Sequence, residues 1–267
     1  MRVGGLAALA SLTKFNRIQV GVLEEFNFVP FEVSPLPAGP WLVFAPHPDD
    51  ETFGMGGALL LAKRAAIKTH VVVMTDGALG GKQEDLVQRR QGELRRACAL
   101  LGVASITGLN QSDRSLAMSA SLVDQLVKLL GTVEPAAVFF PGPFEPHPDH
   151  RATAALVWRA LQLLRQDSKT QQSTPLPFCY EISVQSPVNT LLDISPVMPA
   201  KREAMAVYAS QNAENDYPQL VEGLNKGRSF TLPEQVLFAE GLYRFEPENL
   251  DFSLQMIFEE FLARYWK

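Results

Sequence analysis

Trp41 to Ala45, His70 to Met74 and Ala136 to Phe140 are short, nearly uninterrupted apolar runs bounded by turn-forming residues. Runs of this length and β-branched content predict strands buried on both faces. Between them the apolar positions recur every three or four residues, which predicts helices over Gly54 to Ala66, Glu84 to Leu101, Ala120 to Leu130 and Ala152 to Arg165. Gly102 stops the second of these helices. Ser105 to Leu109 reads as a weaker strand. This alternation implies an α/β fold: a Rossmann-like, mostly parallel sheet with helices on both faces, binding ligands beyond the carboxyl ends of its strands.

The remaining pattern is less regular. Phe28 to Pro40 is a Pro-rich lead-in, and Gln166 to Pro177 a polar loop. Phe178 to Val184, Thr190 to Ile194 and Gly241 to Phe245 read as strands of a smaller C-terminal α+β portion, with an antiparallel addition to the sheet. Helices are expected over Ala200 to Ala209 and Leu232 to Glu240. Phe252 to Trp266 is rich in aromatic and apolar residues and predicts a terminal helix docked on its own domain, with a subunit contact in a homo-oligomer as the alternative.

Composition narrows the class. The chain has 267 residues, 46% hydrophobic and 20% charged, enough for one sizeable core. A net charge of −5 offers no basic stripe for nucleic acid. Cys98 and Cys179 are far apart and match no metal or redox spacing, which fits a reduced, cytoplasmic setting. Met1 to Leu12 is a weak match to a signal segment without a convincing cleavage context, and no run is long enough for a transmembrane helix.

The candidate chemistry sits in two echoes of one tripeptide. Pro46-His47-Pro48-Asp49-Asp50-Glu51 follows the first apolar strand, and His147-Pro148-Asp149-His150 follows the strand ending at Phe140. Alone, each reads as a capped turn, with Pro setting φ and Asp capping a helix. The acidic run also complements the positive end of the following helix. Together, both at strand ends, they read as one metal site. His47, Asp50 and His150 supply two imidazoles and a carboxylate with an open position, as in catalytic zinc or ferrous sites. Asp49 is left free to act as a base.

At these residues the sequence resembles the LmbE-like, or PIG-L, family of metal-dependent N-acetylglucosaminyl deacetylases. Thr75-Asp76-Gly77, the Arg90-x-x-Glu93 helix and Tyr208-x-Ser210-Gln211 extend the likeness over residues 41–245, with 1–40 as a lead-in and 246–267 as a helical extension. The resemblance implies that His47, Asp50 and His150 bind the metal, with Zn²⁺ or Fe²⁺ accepted, and that Asp49 is the general base. It further implies that His147 meets the tetrahedral intermediate or the departing amine, that Asp149 orients His147, and that Arg90 and Asp113 contact the sugar. Phe144-Glu145-Pro146 stands as an insert at the rim. The expected function is hydrolysis of an N-acetyl amide on an amino-sugar, either a small molecule or a lipid- or nucleotide-linked one, to acetate and amine. Alternatives are an amidase on another N-acyl group, a mononuclear non-haem iron oxygenase, and a non-catalytic sugar-binding protein.

Overall fold

Trp41–Ala45 (β1) is buried along its whole length and divides the core in two: Trp41, Val43 and Ala45 face one layer, Leu42 and Phe44 the other. The computed structural model describes residues 28–81, 84–166 and 174–266. The early signal-like stretch and most of the 166–177 loop therefore lie outside the described residues. After β1 come α1 (Asp50–Arg64), β2 (Thr69–Thr75), α2 (Leu86–Leu101), β3 (Ser105–Gln111) and α3 (Ala120–Val133). β4 (Ala137–Pro141), α4 (Pro148–Gln166), β5 (Leu176–Tyr180) and β6 (Thr190–Asp193) follow. The chain continues through α5 (Met198–Ala206), α6 (Ala209–Asn212), α7 (Tyr217–Arg228), β7 (Ala239–Arg244) and α8 (Leu254–Leu262).

The seven strands form one sheet in the order β3-β2-β1-β4-β5-β7-β6. The first five are parallel; β7 pairs antiparallel with both β5 and β6. From β1 the chain winds outward to β2 and β3, then returns to lay β4 on the other side. The gap between the ends of β1 and β4 is thus a topological switch point, where such sheets bind ligands. Leu94 and Cys98 of α2 and Ala204 of α5 cover one face, and Leu126 of α3 and Leu161 of α4 the other. Phe258 of α8 joins the second face, 5.1 Å from the Tyr243 ring and 5.9 Å from that of Phe245.

Several expectations shift. α1 and α4 begin four residues earlier than their periodicity implies, so Asp50 and His150 lie in first helical turns. β5 runs over Leu176–Tyr180 and is parallel to β4, which leaves β6 and β7 as the antiparallel addition. No helix forms over 232–240: Val236 closes a turn onto Pro233, and Leu232, Val236 and Ala239 pack on Val188 and Leu191, so their helix-like spacing reflects a small cluster. α7 was not anticipated, because only Val221 and Asn225 mark its buried face.

α1 is wrapped by protein on nearly every side. A Cβ on Gly54 would stand 2.5 Å from the Tyr180 ring, and one on Gly57 2.5 Å from Ile194. Behind it lies a wholly buried ion pair, Lys201 Nζ to Glu240 Oε1 at 2.7 Å. Glu240 accepts the N–H groups of Gly57 and Ala58 at 2.7 Å each, while Lys201 donates to the Phe53 carbonyl at 3.0 Å. The Phe53 carbonyl and Gly57 amide, natural partners in a helical ladder, each take a partner from this pair.

Candidate metal centre and active site

The turn leaving β1 and the first turn of α1 place His47, Asp49 and Asp50 at the switch point; the turn leaving β4 and the first turn of α4 bring His147, Asp149 and His150 beside them. The floor is shared by Asp113 beyond β3, and the whole opens into a cavity of about 420 Å³. One wall is apolar, formed by Phe53, Ile182, Tyr217 and Val221.

Asp50 Oδ2 is the meeting point. It lies 3.1 Å from His47 Nδ1 and 3.4 Å from His150 Nε2, and accepts the His47 main-chain N–H at 2.9 Å. The far nitrogen of each imidazole faces another carboxylate: His47 Nε2 lies 3.2 Å from Asp149 Oδ2, and His150 Nδ1 3.3 Å from Glu145 Oε2. Both imidazoles thus meet Asp50 Oδ2 through their inner nitrogens; replacing the protons held there by a divalent cation would give it two nitrogens and a carboxylate oxygen, with room for further ligands. Among the described residues, two sets of ligand atoms each lie within 4.8 Å of one another: those of His47, His147 and His150, and those of His47, Asp113, His147 and Asp149.

The electrostatics follow from this crowding. Burial alone would raise Asp50, but the His150 charge and the hydrogen bonds of both imidazoles hold it far below the usual carboxylate range. Burial would lower His150, yet Asp50 and Glu145 carry it up to about 9. Burial likewise opposes His47, and Asp113, Asp149 and Asp50 together push it well up.

Asp49 adopts φ 146° and ψ −29°, a conformation few L-residues tolerate, at a cost on the order of 1–3 kcal/mol. Its surroundings impose it. The main-chain N–H donates to Glu51 Oε2 at 3.1 Å, and the carbonyl receives Thr52 and Phe53 at 2.9 Å each. Its carboxylate accepts from Arg90 at 3.0 Å. Burial raises this carboxyl to about 7 against the pull of Arg90.

The other expected residues gather here with altered contacts. Arg90 is 3% exposed and spends its guanidinium on the protein: on the Gly77 carbonyl at 2.9 Å, the Pro48 carbonyl at 3.1 Å and Asp49. Gly77 (φ 65°) and Gly80 make room for it, since a Cβ on either would fall within 2.6 Å of Arg90 Nη1. Asp113 Oδ2 accepts from Leu79 N, while its buried Oδ1 lies 3.3 Å from His47 Nε2 outside hydrogen-bonding geometry. Asp149 turns its carboxylate to His47 and to the amides of Arg114 and Leu116. Its main-chain N–H, not its carboxylate, holds His147 Nδ1, at 3.2 Å. A neutral His147 then carries its proton on Nε2. Asp76 is a turn residue, capping Ala78 and Asp113 amides.

Two buried glutamates at the site, Glu51 and Glu145, have no role in the sequence reading. Glu51 ends the first motif, where its sequence marks only an acidic helix start, and Glu145 belongs to the insert at the rim. Nothing in a single sequence marks a glutamate as buried; the Pro146-His147 that follows Glu145 was the only pointer.

Fold and site together define a doubly wound α/β protein with a histidine–carboxylate centre at its switch point. Residues 42–161 match the PIG-L family, described as GlcNAc-PI de-N-acetylase. It is 28% identical over 194 residues to diacetylchitobiose deacetylase of Thermococcus kodakarensis, covering 65% of this chain and 70% of that protein. It is also 28% identical over 187 residues to the probable N-acetyl-alpha-D-glucosaminyl L-malate deacetylase 2 of Bacillus subtilis, covering 64% and 82%. The solved N,N'-diacetylchitobiose deacetylase of Pyrococcus horikoshii superposes with a TM-score of 0.70 at 26% identity, over 78% of this chain and 84% of that one. The homologues are therefore N-acetylglucosamine-type deacetylases.

Proposed function

We propose that this protein is a metal-dependent hydrolase that removes the acetyl group from an N-acetylglucosamine-type substrate, releasing acetate and a free amine. The observation that carries this reading is the convergence of His47 Nδ1, Asp50 Oδ2 and His150 Nε2 beside a strained, buried Asp49. Zn²⁺ is the cation we assign, and Fe²⁺ suits the same donors. The two cysteines are free and buried, in keeping with a cytoplasmic setting, and among the described residues no helix is long and apolar enough to cross a membrane.

His47, Asp50 and His150 would hold the cation. The chemistry it supplies when bound is Lewis acidity, which polarises an amide carbonyl and makes water a stronger acid. Asp49, fixed through its own backbone and by Arg90, takes the proton from the attacking water. The Nε2–H of His147 donates to the oxygen that becomes negative as the carbonyl carbon turns tetrahedral. The C–N bond then breaks, and the nitrogen leaves as an amine with a proton returned by Asp49 or His147. Phe53 and Tyr217 offer the apolar wall on which a sugar ring packs, and Asp113 an acceptor for its hydroxyls.

The reading is tested by acetate release from N-acetylglucosamine, chitobiose and nucleotide- or lipid-linked forms, with zinc-loaded and chelated protein. Zinc-dependent release supports it. One bound metal per chain with no acetate from any of these would overturn it.

A further inference from the structure

Glu145 is 2% exposed, pairs with no Lys or Arg among the described residues, and spends its two oxygens in two directions. Oε1 accepts the main-chain amides of Ile182 at 2.7 Å and Ser183 at 3.0 Å; Oε2 reaches His150 Nδ1 at 3.3 Å and Ser183 N at 3.2 Å. Ile182 and Ser183 line the cavity just beyond the end of β5, whereas His150 sits in the first turn of α4. Burying a carboxylate is costly, and one is retained only where the surrounding donors satisfy it. Here the donors are two rim amides and the outer nitrogen of a histidine. We propose that Glu145 is a positioning residue that selects the metal-binding tautomer of His150 and ties that ligand to the substrate rim at 182–183.

The argument is one of proton location. A carboxylate is an acceptor only, so the Nδ1 of His150 must carry hydrogen for this contact to exist. In a neutral ring that leaves the lone pair on Nε2, the nitrogen facing Asp50 and the cation. Carboxylates in this outer position fix ring orientation and strengthen the ligand. Because the same carboxylate grips the rim amides, any displacement of 182–183 pulls on the metal ligand as well. Glu145 thus makes metal affinity and the geometry of the 182–183 rim interdependent; the outer partner of His47, Asp149, is held by a different segment, the Arg114 and Leu116 amides of the loop after β3.

Glu145→Gln separates the two tasks. The amide oxygen continues to accept from Ile182 and Ser183, but its NH₂ favours an unprotonated Nδ1, which moves the ring proton to Nε2. The inference rests on the metal-site reading above, so the primary readout is Zn²⁺ affinity by chelator competition, independent of any substrate. Expected is a dissociation constant raised about 10–100-fold, with KM at saturating zinc near the wild-type value. Equal zinc affinity in wild type and variant would overturn the role of Glu145. Absence of zinc binding by the wild type would instead remove the metal-site reading and this inference with it. Should the variant fold poorly, ring ¹⁵N NMR of zinc-loaded wild type decides: His150 protonated on Nδ1 supports the assignment, and protonation on Nε2 refutes it.

Discussion

Tyr208 donates its hydroxyl to Glu51 Oε1 at 2.5 Å, so a phenol at the entry to α6 grips the carboxylate that in turn holds the backbone of Asp49. Both residues are wholly buried. Tyr208→Phe leaves Glu51 short of a donor, at a cost of about 1–3 kcal/mol. It also loosens the conformation at Asp49. Denaturant unfolding should show the loss, and steady-state kinetics a fall in kcat with little change in KM. A variant with unaltered turnover would detach Tyr208 from the base.

Asp49→Asn keeps the shape and one acceptor for Arg90 but cannot collect a proton. Zinc content should stay at the wild-type level while kcat falls by about 10²–10⁴-fold, the range for a lost general base. Metal analysis beside single-turnover acetate release measures both quantities. Loss of zinc from this variant would place Asp49 among the ligands instead.

Arg90 offers a discriminating case. The resemblance makes it a sugar contact; the geometry turns its guanidinium on Asp49 and two carbonyls. Arg90→Ala leaves a buried carboxylate unpaired, which costs about 3–5 kcal/mol. The kinetic loss should fall on kcat, because the group left without support is the base. A rise in KM at intact kcat would restore the sugar-binding role.

Lys201→Met tests the ion pair behind α1. Glu240 keeps the Gly57 and Ala58 amides but loses its cation, and breaking such a buried pair costs about 3–5 kcal/mol. Thermal unfolding of the metal-free protein should register it. Zinc affinity should be little changed, because Lys201 contacts none of His47, Asp50 and His150.

The parallel half of the sheet was legible because β1, β2 and β4 are buried on both faces and read as unbroken apolar runs. The site was legible for a related reason: His47 and His150 follow adjacent strands, so topology alone brings their motifs together. The C-terminal half was harder. Leu232, Val236 and Ala239 imitate a helical stripe while serving an irregular cluster, and α7 shows too narrow an apolar face to announce itself. The roles of Arg90 and Asp149 depend on which way a side chain turns after folding, and that is decided by carbonyls and amides distant in sequence, such as Gly77 and Leu116.

The glycines of α1 have a consequence for recombination among related proteins. Tyr180, Lys201 and Ile194 each press against one of Gly54, Gly56 and Gly57, where a Cβ would come within 2.5 to 3.3 Å of them. The helix that carries Asp50 is therefore machined to fit β5, α5 and the turn after β6, all from the other half of the chain. A crossover placed between α4 and β5 would give each parent's α1 a surface cut for a different helix. Productive chimeras should be those in which residues 54–57 travel together with 180, 194, 201 and 240.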